Sequence, residues 1–307
     1  MKTVPLGNTG VKVSALCLGT MRLNAGDAEK TFYSLLDQYV EAGGTFLDSA
    51  NIYGGGISES LLGRWMKERR KRSRLFIATK IGFGYSGVDM GLQRHQIETE
   101  CEKSLKRLGI ETIDLYYAHV DDRETPMEET LEVFDQLVRA GKVRFIGASN
   151  FQAWRLDEAH WLSQAHGWAQ YCCIQQRYSY VRPNPGGSFG FQIVVNEDLL
   201  DYCRTRSTTL LAYSPLLSGA YTRLDRSFPK QYLGPDTDAR VAALKSVADE
   251  IGATANQVIY AWMMQSQPYV IPLLAASTPK QMQENLGALD IKLSTKHMAR
   301  LNSAGSS

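Results

Sequence analysis

The sequence predicts an α/β protein, a (β/α)8 TIM barrel with an amino-terminal β-hairpin and an extra carboxyl-terminal helix, as one domain over residues 1–307. Short apolar runs alternate with longer amphipathic stretches, the pattern of a parallel sheet with crossover helices. Eight such units can be counted. Glycines follow several helix-like stretches, where a left-handed cap is needed. The chain also exceeds the ~250 residues of a minimal barrel, which leaves room for the additions.

The eight predicted strands are short runs of β-branched and apolar residues. In chain order they cover residues 15–18, 45–48, 75–79, 113–118, 143–148, 172–175, 209–212 and 270–274. Between them lie helix-like segments such as 31–41 and 127–140, in which apolar residues recur at helical spacing. Gly43, Gly109 and Gly141 each follow such a segment. The positions of these helix-end glycines therefore agree with repeated strand and helix units.

The remaining residues predict four additions to the barrel. A hairpin is expected around GNTG at residues 7–10, and a terminal helix is expected from about Thr295. The stretches 182–192 and 224–238 are rich in Gly, Pro and polar residues. Because long loops without structure of their own are usually functional, both stretches are interpreted as lids over the barrel rim.

Composition and charge exclude several classes of protein. The chain is 44% hydrophobic and 21% charged, with a formal net charge of +2, and its cations are interspersed with acids, so no nucleic-acid partner is expected. No apolar run reaches the ~20 residues that cross a bilayer, so no membrane partner is expected either. The five cysteines lack zinc-like spacing and the amino terminus lacks a signal-peptide core, which predicts reduced thiols, no metal site and a cytoplasmic location.

Four proton-handling side chains lie where predicted strands end, namely Asp48, Tyr53, Lys80 and His119. In a parallel barrel all strands end at the same rim, which is where barrel enzymes have their active sites. A phenol with its ordinary pKa near ~10 is a weak acid at neutral pH. An adjacent Lys80 ammonium would lower the pKa of Tyr53, Asp48 would hold Lys80, and His119 would orient a carbonyl oxygen. Since this set supplies no electrons, a hydride from a nicotinamide would complete a carbonyl reduction.

Eight motifs are spread over essentially the whole length of the chain. They are LGTM at 18–21, FLDSANIYGGGISESLLG from 46, IATK ending at Lys80, DLYYAH ending at His119, GKVRFIGASNF from 141, residues 175–178, AYSPL from 212 and QENL from 283. In this order and spacing they resemble the motifs of the aldo-keto reductases. The resemblance implies a (β/α)8 barrel that reduces an aldehyde, ketone or sugar carbonyl with NADPH, or runs the reverse oxidation. It also implies that the tetrad of Asp48, Tyr53, Lys80 and His119 is catalytic.

The same resemblance implies a set of cofactor-binding residues. Ser149, Asn150 and Gln175 would hydrogen-bond the nicotinamide carboxamide, and the Tyr213 ring would stack on the nicotinamide. Gly19, Thr20 and Met21, with Asp48 nearby, would line the nicotinamide ribose. Backbone groups of Ser214, Leu216, Ser218 and Gly219 would bind the pyrophosphate, and Glu284 and Asn285 would contact adenine.

One segment departs from the pattern of many relatives. Where they place a Lys or Arg beside a Ser, and an Arg a few residues later, as a socket for the 2′-phosphate of NADPH, this chain reads AASTPKQ at 275–281. Ser277 and Gln281 are neutral, and Lys280 is the only nearby cation in the segment. A phosphate dianion favours charge-assisted partners. The neutral residues therefore weaken the preference for NADPH and make NADH plausible. NADP(H), which the resemblance implies, stays the favoured cofactor, with NAD(H) as the alternative.

The substrate remains open between sugar-like carbonyls and small aldehydes, with Met21, Tyr85, Val120, Tyr180 and Phe189 as candidate pocket residues. We expect a monomer or weak homo-oligomer. A second function is consistent with the sequence: a cofactor-sensing regulatory subunit that keeps the tetrad and has little turnover. Glycoside hydrolysis would need two facing carboxylates, and only Asp48 has a convincing position for one.

Overall fold

A computed structural model describes residues 1–21 and 28–305. The chain begins with an antiparallel hairpin of β1 (Thr3–Pro5) and β2 (Lys12–Ser14), followed by eight parallel strands that close into a barrel. The last strand pairs with the first barrel strand, Leu274 opposite Leu18. The barrel strands are β3 (Cys17–Gly19), β4 (Phe46–Asp48), β5 (Phe76–Ile81), β6 (Ile113–Ala118), β7 (Val143–Ser149), β8 (Tyr171–Arg177), β9 (Thr209–Tyr213) and β10 (Val270–Leu274). The predicted fold class is confirmed.

Helices follow the strands, as the amphipathic segments predict. Two of them, α7 and α8, lie between β9 and β10, and α9 packs against α1. No helix within residues 1–21 and 28–305 is long and apolar enough to span a membrane. The helices are α1 (Ala28–Glu41), α2 (Ile57–Arg69), α3 (Arg94–Leu108), α4 (Met127–Arg139), α5 (Ala153–His166), α6 (Glu197–Thr205), α7 (Pro235–Ile251), α8 (Ala255–Met264), α9 (Pro279–Leu286) and α10 (Thr295–Ser303).

The strand boundaries agree with the sequence at β6 and β10 and differ elsewhere for identifiable reasons. The first barrel strand begins at Cys17 rather than residue 15, because the N–H of Ala15 still bonds Lys2 O, 3.1 Å away, in the hairpin. β5 extends to Ile81, so Lys80 lies inside the strand rather than after it. β8 extends to Arg177, which pairs with Tyr213 of β9. Long-range pairing therefore determines where these strands end.

Gly109 shows why glycine marks a helix end. It follows α3 with φ of 63°, and its N–H bonds back to Lys106 O at 3.3 Å. Residues with a Cβ avoid this left-handed conformation, which glycine adopts without strain.

The two long loops at the rim contact each other. The N–H of Asn184 donates to Gln231 O at 2.6 Å and its side-chain amide donates to Leu233 O at 2.8 Å, while Gln231 Nε2 donates to Ser188 O at 2.9 Å. The second loop is shorter than predicted, because α7 begins at Pro235, and proline suits the first turn of a helix. Their role as lids stays a prediction.

Candidate active site

The barrel brings the four predicted residues of the tetrad to the same rim. Asp48 ends β4, Lys80 is near the end of β5, and His119 follows β6 directly. Tyr53 lies in the turn after β4, at the start of a short 3-10 segment, Tyr53–Gly56. Because the strands are parallel and in register, side chains up to 71 positions apart in sequence converge on one cluster.

Lys80 is the centre of this cluster and is completely buried. Its Nζ donates to Asp48 Oδ2 at 2.5 Å, to the backbone oxygen of Ser49 at 2.7 Å and to Tyr53 OH at 3.3 Å. An ammonium has three donors, and each has an acceptor here. Burial alone would lower the pKa of Lys80, but the Asp48 carboxylate and Tyr53 outweigh it and raise that pKa. Lys80 is therefore positively charged at neutral pH.

Asp48 is also completely buried and uses both carboxylate oxygens. Oδ2 accepts from Lys80, and Oδ1 accepts from Gln175 Nε2 at 2.9 Å. Burial raises the pKa of Asp48, while Lys80 and Gln175 oppose that rise. The backbone oxygen of Asp48 accepts from Thr20 N at 2.9 Å and Thr20 Oγ1 at 3.0 Å. The carboxylate is thus held by Lys80 of the neighbouring strand and by Gln175 from across the barrel, while Thr20 holds the backbone of Asp48.

Tyr53 differs from the sequence-based expectation. The Lys80 ammonium does lower the pKa of the phenol, as predicted, but burial raises it by more and the Asp48 charge adds to the rise. The pKa of Tyr53 therefore lies above its ordinary value, and the expectation of a net lowered pKa is wrong for the structure. The phenol carries its proton at neutral pH, which is the form that a proton donor needs.

His119 is 9% exposed, and its ring centroid lies 6.1 Å from that of Tyr53 at an interplanar angle of 78°. Burial lowers the pKa of this imidazole well below its usual range, and the Lys80 ammonium lowers it further. Among the residues that the structure describes, none hydrogen-bonds the buried Nδ1 atom. His119 is therefore a neutral imidazole beside the phenol.

Three of the predicted carboxamide and stacking residues meet at Asn150. Its Nδ2 donates to His119 O at 2.9 Å and to Ser149 Oγ at 3.2 Å, and its Oδ1 accepts from Tyr213 OH at 2.6 Å. Asn150 has a φ of 62°, an uncommon backbone conformation that is often found at functional sites. Both polar atoms of the Asn150 side chain thus have protein partners. Gln175, the fourth predicted residue, instead donates to Asp48.

The predicted pyrophosphate residues lie in a compact turn after β9. Ser214 has φ of 56° and Ser218 has φ of 59°, and Gly219 ends a 3-10 segment, Leu217–Gly219. Leu216 O accepts the N–H of Gly219 at 2.8 Å. Left-handed residues within so short a segment are strained and concentrate at ligand sites.

The predicted adenine and 2′-phosphate residues lie on and before α9. Glu284 Oε1 accepts from Thr254 Oγ1 at 3.0 Å, and Asn285 Nδ2 donates to Ala275 O at 3.1 Å. Gln281 Oε1 accepts the N–H of Ser277 at 2.8 Å, and Lys280 is exposed.

Asn256 of α8, which the sequence reasoning missed, connects this region to the loop after β9. Its Nδ2 donates to Thr222 Oγ1 at 3.1 Å and lies 3.4 Å from Glu284 Oε1. Asn256 therefore joins the loop after β9, which begins with the predicted pyrophosphate turn, to Glu284 of α9.

Gly19, the last residue of β3, and the two residues that follow it differ in their exposure. The hydroxyl of Thr20, which is buried, also accepts from Ser58 Oγ at 2.7 Å, while Gly19 is half-buried. Met21 is 59% exposed and so can reach a bound molecule at the mouth of the site.

Two aromatic residues that the sequence reasoning did not select extend outward from His119. The Phe83 ring lies 4.7 Å from the His119 ring, and the Phe191 ring lies 6.0 Å from Phe83 and is 62% exposed. Tyr180, a predicted pocket residue, is instead buried against Trp262 with its hydroxyl on Leu301 O at 3.1 Å. The sequence did offer one signal for Phe191, which is an aromatic residue within the predicted rim loop at 182–192.

Comparison with known proteins gives consistent matches. The sequence model of the Aldo/keto reductase family matches residues 15–306. "Uncharacterized oxidoreductase YrpG" of Bacillus subtilis is 30% identical, over 98% of this chain and 95% of the relative. The aldo-keto reductase yakc of Schizosaccharomyces pombe, whose name includes NADP(+), is 29% identical, over 98% of this chain and 91% of the relative.

A solved structure is similar over the full length. The crystal structure of the thermostable aldo-keto reductase Tm1743 with the inhibitor epalrestat has a TM-score of 0.80 and 31% identity, covering 99% of both chains. Sequence model, relatives and structure agree on the same assignment. The chain belongs to the aldo/keto reductase family and is an oxidoreductase of carbonyl substrates.

Proposed function

We propose that this protein is an NAD(P)H-dependent reductase in which Tyr53 is the general acid and base, Lys80 and Asp48 activate it, and His119 orients the carbonyl. The observation that carries the proposal is the chain of contacts from Asp48 through Lys80 Nζ to Tyr53 OH, which lies 3.3 Å from the nitrogen. A buried, charged lysine placed between a carboxylate and a phenol has a clear use when the phenol gives up its proton.

The residues present fit a nicotinamide dinucleotide. Ser149, Asn150 and Gln175 would hold the carboxamide, and Tyr213 is half-buried with its hydroxyl on Asn150. The turn after β9, together with helix α9, would hold the remainder of the cofactor. When bound, a reduced nicotinamide supplies the hydride that a carbonyl carbon accepts. The rest of the chemistry belongs to the side chains of this chain.

Tyr53 would donate its proton to the oxygen of the reduced carbonyl. Its raised pKa does not oppose this step, because an alkoxide is a stronger base than a phenolate. The phenolate that remains would be stabilised by Lys80, which keeps its charge through the Asp48 contact. In the oxidation direction the same phenolate would take the proton from an alcohol.

His119 would donate a hydrogen bond to the same oxygen. The neutral ring carries one N–H, and leaving the proton on Nε2 avoids burying an unpaired N–H at Nδ1, which has no partner among the described residues. An Nε2–H donor beside the phenol would polarise the carbonyl and fix its direction.

The cofactor and the substrate class remain proposals with different support. The name of the yakc relative supports NADP(H), whereas Lys280 is the only Lys or Arg between residues 275 and 286, which keeps NAD(H) as the alternative. The wall of Phe83 and exposed Phe191 supports an aldehyde or ketone with an apolar or aromatic group more than a sugar.

All five cysteines are free thiols, which supports the proposed cytoplasmic location.

The direct experiment compares the wild type with Tyr53→Phe. We expect the wild type to oxidise NADPH in the presence of aryl and alkyl aldehydes, and Tyr53→Phe to lose at least about 100-fold in kcat with nearly unchanged NADPH affinity. Tyr269→Phe is the matched control, since its hydroxyl contacts Ala15 O at 3.3 Å, away from the tetrad.

Near-normal reduction by Tyr53→Phe would contradict the assigned role. Tight NADPH binding by the wild type with negligible multiple turnover would instead indicate the cofactor-sensing regulatory subunit. A measurement of mass in solution tests the expected monomer or weak homo-oligomer.

A further inference from the structure

A second cluster of buried charges lies behind the tetrad, between α2 and α3. We call Glu59, Glu100 and Arg107 the support network. The side chains of Glu59 and Glu100 are 0% and 2% exposed, and that of Arg107 is 18% exposed. Arg107 Nε lies 2.6 Å from Glu59 Oε2, and its Nη2 lies 3.8 Å from Glu100 Oε2. The mechanism proposed above uses none of the three.

The support network hydrogen-bonds both segments that carry the proton-transfer residues. Thr79, which directly precedes Lys80, donates its hydroxyl to Glu59 Oε1 at 2.5 Å. Asn51, two residues before Tyr53, donates its side-chain amide to Glu100 Oε2 at 2.9 Å. The network therefore connects the strand of the lysine to the turn of the tyrosine.

Arg107 also supports the turn directly after Tyr53. Gly54, Gly55 and Gly56 follow one another with φ of 59°, 63° and 94°. A Cβ on Gly56 would lie only 2.7 Å from Arg107 Cδ, so the backbone of the turn rests on the arginine side chain. Glycine is needed there both for its conformation and for this close approach.

Buried charges are a costly way to fill space, since apolar residues of similar volume are often at least as stabilising. What a fully bonded polar network provides is a defined geometry. Here Tyr85 OH adds a bond to Glu100 Oε2 at 2.6 Å, and Lys103 Nζ adds one to Glu100 Oε1 at 2.7 Å. Both carboxylates thus have charged or hydrogen-bonding partners.

We propose that Glu59, Glu100 and Arg107 are positioning residues that set the separation of Tyr53 OH and Lys80 Nζ, and through it the proton transfer. They act through Asn51, Thr79 and Gly56, without contact with reacting atoms. The inference rests on the proposed function, because the separation matters only where Tyr53 exchanges a proton. If the turn moves away, Lys80 favours the phenolate less, and a misplacement of about 1 Å can cost about 100-fold in rate.

The test uses Arg107→Met, which removes the charge and keeps an unbranched side chain. We expect at least about a tenfold loss of kcat for alcohol oxidation, and a pH profile moved upward by about one unit. The Kd of NADPH should stay within about twofold. Arg107→Lys should recover most of the rate, since an ammonium can still reach Glu59. A 13C NMR titration of labelled tyrosine rings, with Tyr53→Phe for assignment, should show the same upward shift without turnover.

Arg72→Met is the matched control. Arg72 lies 2.8 Å from the buried Asp114 and donates to Leu75 O, at the opposite end of β5. The Arg72→Met variant should lower Tm by about as much as Arg107→Met does. Its pH profile and its tyrosine titration should match those of the wild type. An equal pH shift in both variants, or a wild-type profile in Arg107→Met, would overturn the proposal.

Glu100→Gln covers the case in which Arg107→Met does not fold. It keeps an acceptor for Asn51 and removes the charge, and a smaller shift in the same direction is expected; a wild-type titration of Tyr53 in this variant overturns the proposal. Failure of the proposed function is distinguishable, because the wild type itself would then reduce no aldehyde, and the positioning role would fall with it.

Discussion

Asp48 and Gln175 are 127 positions apart in sequence, yet Gln175 Nε2 donates to Asp48 Oδ1 at 2.9 Å inside the barrel. The other oxygen of the same carboxylate holds Lys80. One residue predicted to bind the cofactor therefore also constrains the proton-transfer residues. Three successive hydrogen bonds, Gln175–Asp48, Asp48–Lys80 and Lys80–Tyr53, connect it to the phenol.

Gln175→Ala should impair both functions. Loss of the Gln175 amide leaves the buried Asp48 Oδ1 without its donor, which costs about 1–3 kcal/mol of folding free energy. We also expect kcat to fall and the Kd of NADPH to rise. Urea denaturation and cofactor titration measure the two effects. Gln265→Ala serves as the control, because Gln265 Nε2 bonds Ala261 O at 3.0 Å away from the tetrad, and it should lower stability alone.

Lys80→Met should remove activity and destabilise the protein. The change leaves the buried Asp48 unpaired, and breaking such a pair typically costs about 3–5 kcal/mol. Without the ammonium, the pKa of Tyr53 would rise further, so any residual alcohol oxidation should need a higher pH. Denaturation and a pH series measure both effects. A wild-type pH profile in Lys80→Met would show that another group activates the phenol.

The lowered pKa of His119 predicts how the free energy of unfolding depends on pH. Its pKa is lowered in the folded protein, so the unfolded chain binds a proton first as the pH falls below the ordinary value near ~6.5. Stability should therefore fall as the pH decreases from about 6.5 towards the folded-state pKa, and rise with pH in that window. Denaturation of His119→Asn should show a flatter slope there. Replacement of the exposed His95 by Asn should retain the wild-type slope.

The cofactor preference can be altered at α9. Gln281 lies in the first turn, beside the N–H of Ser277. Gln281→Arg should lower the Kd of NADPH by about tenfold and leave that of NADH nearly unchanged, because a guanidinium pairs with a phosphate dianion in a charge-assisted contact. Side-by-side titration of both cofactors, with Gln283→Arg as the control, decides the point. Equal gains for both cofactors would contradict a 2′-phosphate site.

Phe191 should select among carbonyl compounds. Phe191→Ala is expected to lower kcat/KM for an aryl aldehyde by about tenfold, through the loss of an aromatic contact, and to leave a small alkyl aldehyde unaffected. The fully exposed Leu224 provides a control in Leu224→Ala. A uniform loss across both aldehydes would mean that Phe191 supports the loop rather than the substrate.

Local pattern was enough to predict much of this protein. Periodicity located β6 and β10 at their observed bounds, and strand-end positions selected the four residues that the structure brings together. The hairpin and the terminal helix from Thr295 are also confirmed. These features depend on residues close in sequence, whose spacing and capping preferences can be read along the chain.

Tertiary structure decided what depends on burial and on distant partners. The pKa of Tyr53 rises rather than falls because packing removes water from the phenol, which no local pattern reveals. The contact of Arg107 with Gly56 and the aromatic pair of Phe83 and Phe191 join residues 51 and 108 positions apart. The sequence by itself determined which residues could do the chemistry. The closed barrel decided their distances, their solvation and the groups that support them, because those properties arise only when remote segments pack together.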